Sequence, residues 1–400
     1  MTKDTSWLPF WEGFCVADVH VGEDQVRFEL RPLTDAGTMC GRCHAPVGAV
    51  HERVRRRIRD LPMLGRAVVL DVQLLRLACE RCGQCLQHVP WLERHSRLTR
   101  RMADAVAQLC ALMPLKHVAE LFNLHWSTVH ELDRRRLQAI VQALPAASPT
   151  RLIMDEFALF KGHRYASVIL DADTGRVLHV AEGRTRASVR PFFEALGPQG
   201  CARIEAVAMD MNSAFDLEVR HFCARARVVY DLFHVVAKYA REVVSRVRVD
   251  TANELRRDKP ARRIVKQAHW LLLRNRDNLD PAQRVRLADV LEANQSLLTV
   301  YLMKESLKGL WTAATAWEWR RRWREWHADA AESNIASLKL FAKNLRHYWR
   351  GIVSRVRWPM HTGRLEGINN RIKVIKRMAY GYRDTNFFFL KIRASFPGNP

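Results

Sequence analysis

Four cysteines in two Cys-x-x-Cys pairs, Cys40/Cys43 and Cys79/Cys82, are the residues whose spacing speaks most plainly of chemistry. Each pair offers two thiolates from one tight turn. Two such knuckles supply the four soft ligands of a tetrahedral, structural Zn²⁺. The 35 residues between Cys43 and Cys79 exceed the ~15–20 of a compact ribbon, so they predict an elaborated one with strands of its own. His44 and Cys85 are spare ligands beside the set. Cys15, Cys110, Cys201 and Cys223 sit in apolar surroundings and read as small buried hydrophobes.

Three carboxylates form a second candidate constellation. Asp155 ends one predicted strand and Asp210 ends another, and acids just beyond strand ends are where α/β sheets hold ligands. Glu366 is the single acid of RLEGINNRIKVIKRMAYGYR (364–383). Ile368, Ile372 and Ile375 would form the apolar stripe of a helix there. Glu366, Asn370, Lys373 and Arg377 follow one another on its polar side at i, i+4, i+7 and i+11. Such a helix could present a carboxylate to a metal and a row of cations, Lys376 among them, to a phosphate backbone. Each acid taken singly reads first as structural, a cap or a salt-bridge partner. Taken together they describe a divalent-metal site, since Mg²⁺ needs a few carboxylates and keeps substrate oxygens in its shell.

The flanking sequence says which elements would hold these groups. Val19, Val21, Val26, Phe28 and Leu30 mark short strands, and AVVLDVQLLRLACERC (67–82) is a strand-like run that delivers the second cysteine pair. Between them lies VHERVRRRIRDLP, with five arginines. Residues 1–97 thus predict a zinc-pinned, ribbon-like β domain. From Leu98 the period becomes helical. RMADAVAQLCALM (101–113), LKHVAELF (115–122) and HWSTVHELDRRRLQAIVQAL (125–144) predict three helices, the last with Ser127 as its N-cap.

Residues 98–146 therefore fit a helix-turn-helix. Trp126, Ser127, Thr128, His130 and Glu131 would lie at the base-facing end of the last helix, and Arg134, Arg135 and Arg136 would meet phosphates. Any three-helix bundle shows the same periodicity. The charge balance and the neighbouring zinc domain favour DNA.

PAASP (145–149) is a linker, and the pattern changes after it. Residues 150–235 give strands at 152–154, 165–171 and 177–181, with DTG (173–175) as a hairpin turn, then helix, strand, helix, strand. That order predicts a layered α/β core with a mixed sheet. Residues 236–350 read as an all-helical insertion, and 351–400 returns to the core with the Glu366 helix. Eight of the 12 tryptophans fall between Trp270 and Trp358. Trp319, Trp323 and Trp326 share one helix face, either as a packing seam or as stacking surfaces for unpaired bases.

Sixty-five Lys and Arg against 42 Asp and Glu leave a formal charge of +23, which favours a polyanionic partner, chiefly nucleic acid. No apolar run is long enough to span a bilayer, and MTKDTSWLPF carries no signal-peptide pattern. A cytoplasmic protein is expected, with no membrane partner.

Several ordered blocks resemble one family. CGRC…RRRIRDLPMLGRAVVLDVQLLRLACERC is similar to the N-terminal zinc-binding domain of the ISL3-family insertion-sequence transposases. LIMDEFALFKGHRYASVILDADTGRVLHVAEGR, AVAMDMNSAF, VVYDLFHV and RLEGINNRIKVIKRMAYGYRD resemble successive blocks of that family's DDE domain. The resemblance runs from about residue 10 to 395, and the chain after the Glu366 helix reads as complete at FPGNP.

It implies an RNase H-like core, interrupted by a helical insertion, that cuts and joins DNA. The family's catalytic acids fall on Asp155, Asp210 and Glu366, which would hold two Mg²⁺ (or Mn²⁺) ions. Asp231 is the rival for the second position. Glu156 would face away from Asp155 along a continuing strand, which makes it the poorer ligand. The implied partners are the terminal inverted repeats of a bacterial insertion sequence and a target DNA, bound by a homodimer in association with the nucleoid. The alternatives are a nuclease of the same fold that cuts without joining, and a DNA-binding regulator with an inactive core.

Overall fold

Alternating apolar residues on both sides of the second cysteine pair build one sheet in the N-terminal part. Its strands are β1 (Phe14–Val21), β2 (Gln25–Pro32), β3 (Val50–Met63), β4 (Arg66–Cys79) and β5 (Gly83–Leu86). The order is β1-β2-β4-β3, with β5 paired to the end of β4. A computed structural model describes residues 10–33, 37–160, 162, 164–360 and 363–399; the side chains of 363–366 lie outside the described set. The chain divides into two units: residues up to Gln142 together with Ile375–Arg383, and Ala143–Val374 together with Asp384–Pro400.

In the first unit, β3 and β4 are joined by Leu64 and Gly65, both at positive φ (49° and 77°), as a two-residue hairpin turn requires. The inner face of the sheet buries Val26, Phe28, Leu30, Ile58, Leu70, Val72 and Leu74 against Trp11. The arginine-rich segment is thus a strand, with Arg53, Arg55 and Arg57 exposed on the opposite face. Asp60, wholly buried on β3, accepts hydrogen bonds from Trp11 Nε1 (2.9 Å), Thr99 Oγ1 (2.7 Å) and Arg101 Nε (2.7 Å). Thr99 is also the N-cap of α1 (Arg100–Leu109), so one carboxylate ties the sheet to the helices.

Two further helices, α2 (Leu115–Phe122) and α3 (Trp126–Ala143), complete that part. α2 ends at Asn123 in the left-handed conformation (φ 47°), which turns the chain sharply into α3. Ser127 is not the N-cap of α3. The helix starts at Trp126, Val129 N donates to the His125 carbonyl, and the His125 ring Nδ1 takes the Ser127 N–H at 3.3 Å. His125 does the capping with its ring, a role that Ser127, two residues further on, is too late to fill.

In the second unit, β6 (Arg151–Phe160), β7 (Arg164–Asp171) and β8 (Val177–Glu182) form an antiparallel meander. Asp171 accepts from Asp173 N and Thr174 Oγ1 (2.9 Å each), and Gly175 sits at φ 73°, which closes the DTG turn. α4 (Arg186–Ala202) leads to β9 (Ala206–Met209), and α5 (Ser213–Phe222) leads to β10 (Arg227–Tyr230). β9 runs parallel to β6, and β10 parallel to β9, so the strand order is β10-β9-β6-β7-β8. This mixed sheet with its flanking helices is an RNase H-like core. Glu218, buried on α5, receives Arg186 and Arg190 from α4 and locks the two helices together.

α6 (Leu232–Tyr239) follows β10 and opens the helical segment: α7 (Ser245–Glu254), α8 (Lys259–Gln267), α9 (His269–Leu273), α10 (Pro281–Glu292), α11 (Gln295–Gly309), α12 (Ala316–Glu332), α13 (Ala336–Leu345) and α14 (Trp349–Arg357). Trp319 and Trp326 are buried in its core, and Trp326 Nε1 donates to Met303 O at 2.9 Å, so these rings form a packing seam. The buried Lys304 donates to the Leu272 carbonyl (2.6 Å) at the end of α9. α14 returns to the sheet edge: Gly351 lies so close to Tyr230 of β10 that an added Cβ would be 2.3 Å from the ring. Then come α15 (Gly363–Met378), which carries Glu366, and α16 (Thr385–Ser395), which packs on β8.

Candidate active site, zinc centre and DNA-binding elements

Asp155 does not end its strand. β6 continues to Phe160 and pairs with β7 through this point (Asp155 opposite Val168), while its pairing with β9 stops at Ile153 opposite Ala208. Phe157 and Leu159 keep one face buried, which holds β6 extended beyond its parallel neighbour. Asp155 thus stands in the notch where β9 leaves the sheet. Asp210 follows β9 directly, and Asp231 follows β10 directly.

The environments of these acids differ. Asp155 Oδ2 accepts Asn369 Nδ2 from α15 at 3.0 Å. Burial raises the Asp155 pKa, and the Glu156 N–H, the His234 ring of α6 and Asn369 offset only part of that rise. Asp210 is raised by burial as well, and the charge of Asp155 raises it further. Its Oδ1 also accepts Asn212 N at 2.9 Å. Asp231 instead caps α6, accepting Phe233 N at 3.2 Å. Glu156 is engaged by Asn212 Nδ2 (2.6 Å) and Arg184 (3.6 Å). Asn212 in turn N-caps α5, so one loop positions both Asp210 and Glu156.

Asp155 and Asp210 are two half-buried carboxylates that repel one another. Beside them the Oδ1 of Asn369 is buried with no hydrogen-bond partner among the described residues. Hard oxygen donors with an unmet acceptor and excess negative charge fit Mg²⁺ or Mn²⁺. The backbone of Glu366 lies on α15, one turn before Asn369; its side chain is outside the described residues. Asn369 was missed by sequence reasoning, which followed Asn370. The signal available was its i+3 spacing from Glu366.

In the first unit the Sγ atoms of Cys40, Cys43, Cys79 and Cys82 all lie within 4.8 Å of one another. The Cys43–Cys79 separation of 3.7 Å matches the roughly 3.8 Å expected for thiolates around a tetrahedral zinc. Cys40 is lowered to about 5 by N–H groups of Cys43 and Arg42, while Cys82 is pushed up to about 12 by its hydrogen bond to Cys43 and by burial. A dication would release the Cys82 proton. Cys85 Sγ approaches Cys40 Sγ at 3.2 Å, and burial raises its pKa, so it stands as a protonated neighbour of the ligand set. The Gly41 knuckle accommodates no side chain, since a Cβ there would lie 2.5 Å from the Leu86 carbonyl.

On α3, Trp126 is half exposed and stacks on His130 (4.8 Å, 19°); Thr128 is exposed. Ser127 Oγ bonds the His125 ring at 2.7 Å. Arg135 pairs with Glu131 (2.9 Å) and Arg136 with the buried Asp133 (2.7 Å); Arg134 is half-buried. On α15, Asn370, Lys373 and Arg377 are exposed and Lys376 is half-buried.

Three family models match the chain in this order. The zinc-finger of transposase IS204/IS1001/IS1096/IS1165 matches residues 36–85, the helix-turn-helix domain of transposase family ISL3 matches 87–137, and the ISL3 model described as Transposase matches 152–392. The chain belongs to the ISL3 family of transposases. A curated family member, the transposase for insertion sequence element IS1001 of Bordetella parapertussis, is 50% identical over 394 residues, 97% of each chain. The transposase for insertion sequence element IS1557 of Mycobacterium tuberculosis is 26% identical, over 92% of this chain and 89% of its own length. The ISL3 zinc-ribbon assignment and the four-thiol cluster together support a structural Zn²⁺. No helix among the described residues is long and apolar enough to cross a membrane.

Proposed function

We propose that this ISL3 transposase binds the terminal inverted repeats of its insertion sequence as a homodimer, cuts the DNA there and joins the freed ends to a target. Asp155, Asp210 and Glu366 are the catalytic acids and would hold two divalent ions, Mg²⁺ or Mn²⁺. The observation that carries this reading is the pairing of Asp155 with Asn369. It brings the Glu366 helix to the notch that also holds Asp210.

When bound, the ions supply activation of the attacking oxygen and stabilisation of the leaving one. The protein's own part is positional. The sheet fixes Asp155 and Asp210 at one level, and Asn369 orients the Asp155 carboxylate. Asn370, Lys373, Lys376 and Arg377 face phosphates. Trp126, Ser127, Thr128 and His130 read base edges, and Arg134 to Arg136 flank them. Within the first unit the exposed Arg53 and Arg55 add to the salt-dependent attraction.

The test is incubation of the protein with DNA carrying its element's ends, a target plasmid and Mg²⁺. End cleavage followed by joined products is expected. Cleavage without joined products would reduce the protein to a nuclease. Specific binding without cleavage would make it a regulator.

A further inference from the structure

Within the helical segment of the second unit, α12, Arg346 and the start of α14 enclose an open groove of about 940 Å³. Three of its lining residues are arginines, Arg320, Arg324 and Arg346, and its lining contains no carboxylate. Its floor is aromatic. Trp319 and Trp323 stack at 4.9 Å and 20°, His327 meets Trp323 edge-on at 4.4 Å, and Trp349 is 40% exposed on the far side.

Two buried polar atoms on that floor are unsatisfied. Trp319 is 1% exposed and His327 7% exposed, yet neither Trp319 Nε1 nor His327 Nε2 has a hydrogen-bond partner among the described residues. Trp326, equally buried on the same helix, does bond the Met303 carbonyl. The helix thus satisfies the Trp326 indole at Met303 and leaves one polar atom unmet on each of two residues that line the groove, Trp319 and His327. Orphaned buried polar atoms of this kind cost free energy until something pairs with them.

A partner suited to this site is flat, carries hydrogen-bonding edges and is joined to negative charge. Indole faces stack on bases of any sequence, and arginines beside them take the phosphates. We propose that this groove holds an unpaired nucleotide of DNA, its base against Trp323 and Trp349 and its phosphates on Arg320, Arg324 and Arg346. The inference rests on the DNA-joining reading above and gives the helical segment a task in it: keeping a strand end unstacked.

The experiment uses the full chain and two labelled duplexes with a short single-stranded overhang, one with normal bases and one with abasic overhang sites, plus a blunt duplex. The base-bearing overhang is expected to bind roughly 5- to 150-fold more tightly than the abasic one. Trp323→Ala erases that difference and leaves blunt-duplex affinity unchanged. Trp349→Ala, at an exposed ring, carries the same expectation if Trp323→Ala does not fold. Equal affinity of the native protein for the two overhangs overturns the proposal, and so does a preference that survives both substitutions. Tight binding of an acidic peptide at the groove in place of the overhang also overturns it. Loss of all DNA binding would instead refute the underlying DNA reading.

Discussion

Asn369 Nδ2 donates to Asp155 Oδ2 at 3.0 Å across 214 residues of sequence. That bond ties α15 to β6, the first strand of the core, with the other core strands, α4, α5 and the helical insertion between them in sequence. It also fixes where the Glu366 helix can be. Replacing Asn369 by Ala removes the donor that orients Asp155 while leaving all three acids in place. DNA cleavage is expected to fall about 10–100-fold, with more Mg²⁺ needed for half-maximal rate, as for other groups that orient metal ligands. Cleavage rates titrated against Mg²⁺ check this; an unchanged Mg²⁺ requirement would contradict it.

Asp60 gives the first unit a pH dependence. Burial alone would raise its carboxyl; the bonds from Arg101, Thr99 and Trp11 outweigh that and hold it below the ordinary range. Its contribution is whole above the unfolded value of about 3.9 and is lost as pH falls through the lower folded value. Asp60→Ala leaves Arg101 and Thr99 without their acceptor and should cost about 3 kcal/mol, the low end for a broken buried pair because Arg101 keeps part of its side chain in water. Denaturant midpoints at neutral pH, and their shallower acid dependence in the variant, are the measurements.

The zinc centre predicts two different failures. Cys79→Ser should lose stoichiometric metal, since a serine hydroxyl stays protonated at neutral pH and is a far poorer zinc ligand than a thiolate. Gly41→Ala keeps all four thiols, but its Cβ meets the Leu86 carbonyl, so zinc should be retained more weakly. Chelator competition separates the two; Cys79→Ser protein that retained one zinc per chain would remove the assignment.

Gly351 predicts a purely steric effect. A methyl group there runs into the buried Tyr230 ring, so Gly351→Ala should destabilise the second unit by about 1–3 kcal/mol. A lower thermal midpoint with unaltered zinc content is the expected outcome.

The cysteine knuckles and the DTG turn were legible because ligand spacing and turn chemistry are local. Strand and helix order in the core were legible from periodicity. The charge of Asp155 looks like a strand end, but Phe157 and Leu159 carry the apolar alternation of β6 onward. Residue type favours Ser127 as the cap, whereas the ring of His125 can cap the helix by accepting the Ser127 N–H. A helical wheel ranks residues by spacing alone and favours Asn370; only the bond from α15 to Asp155 of β6 shows that Asn369 turns inward. The choice between Asp210 and Asp231 was not legible at all, since both follow a buried strand and their difference lies in what surrounds them.

That choice supplies the most direct test of the account. Cleavage of an end-bearing DNA is measured for Asp210→Asn and Asp231→Asn proteins, with DNA affinity measured in parallel. The account predicts that Asp210→Asn lowers cleavage by roughly 10³-fold or more at unchanged affinity, a loss on the scale of removing a catalytic group. Asp231→Asn, an uncharged cap in place of a charged one, should keep most of the rate. Normal cleavage by Asp210→Asn, with the loss falling on Asp231→Asn, would contradict the assignment of the metal site.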